Sequence, residues 1–64
     1  MLSEREMRIA ASMVHRRHGD GAAAFICGRI ATLEKVGDTA GADTWVAVLE
    51  HLGELLRSSV GVLD

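Results

Sequence analysis

Placing successive residues about 100° apart, as on a helix, sorts the apolar positions of this chain into stripes from its start to about residue 57. Over the first helical stretch there are two. Met7, Ala10, Ala11 and Val14 share one face, with His18 below them. Leu2, Ile9 and Met13 share another, nearly opposite Ala11. Ser3, followed three residues later by Glu6, is a capping box, and the pattern predicts a helix over 3–18. Glu4 and Glu6 at its start and Arg16, Arg17 and His18 at its end suit the helix dipole.

Gly19-Asp20 and Gly37-Asp38 repeat one device. Glycine takes the left-handed conformation that closes a helix, and aspartate accepts hydrogen bonds from the first free N–H groups of the next. A second helix is therefore expected over 21–36. Its main stripe is Ala22, Ala23, Ile26, Ile30 and Leu33, beside a line of small residues, Ala24, Gly28 and Ala31, that would let another helix approach closely. Phe25 and Val36 lie off both lines. Being apolar around most of its girth, this helix is expected to be the central one. A third is expected over 39–57. Gly41 weakens its opening by roughly 1 kcal/mol relative to alanine. Trp45, Val48, Leu49, Leu52, Leu55 and Leu56 fall on one side, Asp43, Glu50 and Glu54 on the other, and Val46 at the edge. Residues 57–64 lose the helical spacing and are expected to fray, although Val60, Val62 and Leu63 could dock. The expected core is Ile26, Ile30, Leu33, Trp45, Leu49 and Leu52.

The predicted fold is all-α: one domain over 1–64, a three-helix bundle or compact three-helix array with short Gly-Asp connections. At 64 residues such a domain buries little of its surface and commonly leans on a disulfide, a metal or a partner. Cys27 is the only cysteine, which excludes an internal disulfide and a cysteine-rich zinc site. An apolar fraction of 48% argues against disorder, and the lack of proline suits long helices. The longest uncharged run, Gly21 to Gly28, spans eight residues, far short of a membrane span. Acidic residues occupy the start of the chain, where a signal peptide would be basic. The expectation is a soluble cytoplasmic protein with no membrane association. A net charge of −2 gives no general attraction to nucleic acid.

His18-Gly19, Ala24, Arg29-Ile30, Leu33, Gly37-Asp38, Gly41 and Trp45 together resemble a group of short alphaproteobacterial proteins of unknown function. The resemblance covers about residues 15–56. It implies a small all-helical protein and no particular activity. The Gly-Asp corner also looks like that of a tetratricopeptide hairpin, but one hairpin does not make a solenoid.

Chemistry has few footholds. His15 and His18, one turn apart, could share a metal with Cys27 or His51, yet these residues are spread over three helices. The plainer reading leaves His15 exposed beside Arg16 and His18 at a helix end. Cys27 with a histidine could form a nucleophile pair, but it falls in mid-helix without oxyanion donors and reads better as a small buried hydrophobe. The second and third helices could form a helix-turn-helix. Asp43, Glu50 and Glu54 on the third would then repel phosphate. No catalytic, cofactor or metal residue is assigned, and the chain is not expected to be an enzyme.

The stripe that a monomeric core does not need points to association. Leu2, Ile9 and Met13, flanked by Arg16 and Arg17 and extended by Phe25, Val36 and Val46, form the expected partner interface. Two first helices could pair antiparallel, with Glu6 of one near Arg16 or Arg17 of the other. The expected function is a non-catalytic interaction protein, either a homo-oligomer or an accessory subunit of a larger partner. The alternative is a nucleic-acid-binding regulator using the basic first helix.

Overall fold

The computed structural model describes residues 2–62, and side chains as far as Ser58. Helix α1 spans Glu4–His18, a single 3-10 turn covers Gly19–Gly21, α2 spans Ala22–Lys35 and α3 spans Thr39–Val62. The expected all-α, three-helix array is what forms. Two expectations need correction. Helix α3 does not end near Arg57 but continues to Val62. No proline interrupts the stretch, and each added residue gains a backbone hydrogen bond once the helix is nucleated. The docking suggested for Val60, Val62 and Leu63 lies outside the described side chains. The central helix is α3, not α2: α1 and α2 each pack extensively on α3 and touch one another far less. The apolar girth of α2 is largely alanine and glycine, which remove little surface from water, so the larger side chains of α3 gain more from the middle. The small line Ala24, Gly28 and Ala31 is exposed, and a Cβ placed on Gly28 would meet nothing within 4 Å.

The two glycine corners differ. At the second, Gly37 has φ 81°. The Asp38 N–H donates to the Leu33 carbonyl at 2.8 Å and the Gly37 N–H to the Glu34 carbonyl at 3.1 Å. That pair of bonds is the Schellman closure of a helix. Asp38 then serves α3. Its carboxylate Oδ1 accepts from the Gly41 N–H at 2.9 Å, and its carbonyl accepts from Ala42 at 3.0 Å. One residue thus ends α2 and caps α3. At the first corner Gly19 also has a positive φ, 56°, but its ψ of −126° lies outside the left-handed helical region; its N–H donates to the His15 carbonyl. Asp20, expected to cap α2, does not. The chain continues in the tight turn, the Ala22 N–H bonds back to Gly19, and α2 starts from Gly21 with no side-chain cap. An N-cap needs extended backbone, and the helical turn denies it to Asp20.

Ala11, Ala22, Ile26, Val48 and Leu52 form the buried cluster, one or two residues from each helix, and Ala42 is buried as well. Ile26 and Leu52 were expected there. Ile30, Leu33, Trp45 and Leu49 are only half-buried. Enclosure is complete only where three helices converge, and the close approach there favours alanine. Trp45 and its neighbours sit where fewer elements cover them.

The capping box at the start of α1 is complete. The Glu6 N–H donates to Ser3 Oγ at 3.1 Å, and the Ser3 N–H donates to Glu6 Oε1 at 2.9 Å. The bond from the Ser3 backbone, then that from its side chain, holds the Glu6 carboxyl below its ordinary value of 4.5. A group with a lowered folded-state pKa stabilises above its ordinary pKa and loses that contribution as pH falls through the folded value. Thermal unfolding should therefore show a loss of stability below about pH 4.5 that is smaller in Glu6→Gln, which keeps an amide acceptor but cannot be protonated there.

Gly41 has a reason the sequence alone does not show. A Cβ there would stand 2.6 Å from Asp38 Oδ2 and 2.9 Å from its Cγ, so alanine collides with the cap. Asp38→Ala should cost about 1 kcal/mol. Gly41→Ala should change stability little, because its helix-propensity gain of about 1 kcal/mol is offset by loss of the cap. In the Asp38→Ala background the same Gly41→Ala should stabilise by that full amount. Denaturant unfolding of the four proteins measures the cycle.

Candidate interaction face at the three-helix junction

Phe25 stands on the first turn of α2, beside the end of α1. The His18 ring stacks on it at 4.2 Å between centroids and 17° between planes. On its other side the Trp45 ring meets it edge-on, at 6.1 Å and 76°. Offset and edge-to-face arrangements suit the ring quadrupoles. Arg29, one turn beyond Phe25, holds its guanidinium carbon 5.8 Å from the Trp45 ring centroid, within cation–π range. Trp45 was expected in the core against Leu33 or Ile30. It does pack against the buried cluster, but half-exposed, with its ring held by Phe25 and Arg29.

These rings form one wall of a groove of about 360 Å³. Ala10, Met13 and Val14 of α1 form the other wall, and Arg17 and His18 close the rim. Its lining is mostly apolar and includes no carboxylate. Met13 is 62% exposed and Phe25 37%. Across α3 lies a polar hollow lined by Glu4, Glu50, His51, Glu54 and Arg57.

Of the eight expected interface residues, the structure brings Met13, Arg17 and Phe25 together in the groove. The others are exposed at separate places. Leu2 lies over α3 beside Met7, Thr44 and Ala47. Ile9 lines a shallow hollow with Arg5, Arg8 and Leu55. Arg16 is exposed on the last turn of α1, Val36 at the second corner and Val46 on α3. Leu56, expected on the apolar side of α3, is exposed too. Sequence reasoning did not gather His18 and Trp45 into this groove, and it did not single out Arg29, which adjoins it over the Trp45 ring. The available signal was Phe25 and Arg29 at i and i+4, a spacing that puts them on one helical face.

The reactive residues are not gathered. Cys27, expected to be buried, is exposed, because it lies on the face of α2 turned away from Ile26. His15, expected to be exposed, is half-buried, with Nδ1 enclosed and unpartnered among the described residues. His51 Nδ1 is enclosed as well, 3.3 Å from Glu54 Oε1 but not in hydrogen-bonding geometry. Among the described residues no three of histidine, cysteine, aspartate and glutamate stand together as metal ligands. Nor is any helix among them long and apolar enough to cross a membrane.

Residues 3–59 match a family of unknown function, DUF6961, and the chain belongs to it. No curated protein and no solved structure matches the chain.

Proposed function

We propose that this member of DUF6961 is a small, non-catalytic cytoplasmic interaction protein, working as a homo-oligomer or as an accessory subunit, and that the groove at the three-helix junction is its docking face. The observation that carries this reading is the placement of Met13, Phe25 and Trp45. Three large side chains line one concave surface, in a domain whose buried cluster contains only three residues larger than alanine. Apolar surface gathered in a concavity and rimmed by polar groups is characteristic of contact sites.

Replacing Phe25 with a photoreactive phenylalanine analogue tests the reading in cells of the native host. Irradiation should crosslink position 25 to a defined protein, another copy or a larger partner, while the same analogue at Glu50 on the far side of α3 gives background only. Equal background at both positions would refute the docking face.

A further inference from the structure

The groove has a sign as well as a shape. Its floor and walls are apolar, its rim carries Arg17 and His18, and Arg29 stands over the adjoining Trp45 ring. From this complementarity, and resting on the docking reading above, we propose that the occupant is an acidic amphipathic helix of another protein. It would insert an apolar side chain between Met13 and Phe25 and set carboxylates against Arg17 and Arg29. Helix-in-groove recognition uses this division of labour: buried apolar anchors supply affinity, and rim charges set orientation and exclude wrong partners.

A second copy of this chain fits less well. Two grooves facing each other across a two-fold axis would bring each arginine towards its own counterpart or towards another cation. The chain does carry an acidic apolar stretch, Asp43, Val46 and Glu50, all exposed on α3. None of the three lines the groove, so this stretch could enter a neighbour's groove only head-to-tail. Such a contact is heterologous and builds open chains rather than a closed pair.

Trp45, the chain's one tryptophan, reports occupancy directly. Two synthetic peptides serve as probes. Both repeat leucine at helical spacing, with glutamate at the remaining positions in one and lysine in the other. Adding the glutamate peptide to the full chain should shift Trp45 emission and saturate, while the lysine peptide should bind at least tenfold more weakly. Arg17→Glu with Arg29→Glu should weaken the glutamate peptide roughly tenfold and flatten its salt dependence. Met13→Glu, at a well-exposed position where folding is not at stake, should abolish the shift. Circular dichroism confirms that each variant is helical. Equal binding of both peptides, no binding of either, or indifference to the arginine pair would overturn the acidic-helix proposal. Crosslinking from position 25 would then still stand or fall by itself. Open-ended polymers in sedimentation, dissolved by Glu50→Lys, would overturn the foreign partner in favour of self-assembly.

Discussion

The structure depends on how tightly one corner is specified. Gly37 supplies the positive φ, two backbone bonds close α2 behind it, and Asp38 opens α3 with its carboxylate on the Gly41 amide. No residue is free between closure and start, so local hydrogen bonding constrains the relative setting of the two helices. That setting brings Phe25 and Arg29 of α2 to Trp45 of α3. The groove is in this sense a product of the corner. Helix α1 then completes it, arriving through a tight turn at Gly19–Gly21 that leaves the His18 ring on Phe25.

A core in which three of the six buried side chains among the described residues are alanine explains why so much is left outside. Ala11 and Ala22 allow the helices to come close, but a methyl group removes little area from water. The larger apolar residues Met13, Phe25 and Trp45 are displaced to the junction's rim. The same residues that a larger domain would use as core here line an accessible concavity. The basic end of α1 and the acidic far face of α3 give the two sides of the molecule opposite sign, which is a means of selecting a partner and its orientation.

Helix existence was legible in the sequence because capping and glycine stops act locally. Ser3 with Glu6, Gly37 and Asp38 all perform as their residue types imply. The failures have a common cause. Asp20 resembles Asp38 in sequence, but backbone geometry at Gly21 decides whether a carboxylate can cap. Gly41 reads as a weak opening until the neighbouring carboxylate is placed in space. Helix α2 reads as central because periodicity registers which positions are apolar, not how much area each would bury. The stripe of Leu2, Ile9 and Met13 is aligned on an isolated helix, yet α2 and α3 divide it among separate hollows. Which exposed residues share a surface is a tertiary fact, and only Met13, Arg17 and Phe25 of the expected set come together.

The central claim is that the junction groove is the surface this chain uses. Chemical-shift mapping of the labelled protein tests it most directly, as the concentration is raised or the acidic helix is added. The account predicts that the Met13 methyl, the Phe25 ring and the Trp45 indole N–H move together while Gly28 and Ala31 on the outer face of α2 and Glu50 on α3 stay still. Shifts concentrated on the outer face of α2, with the Trp45 indole unmoved, would contradict it.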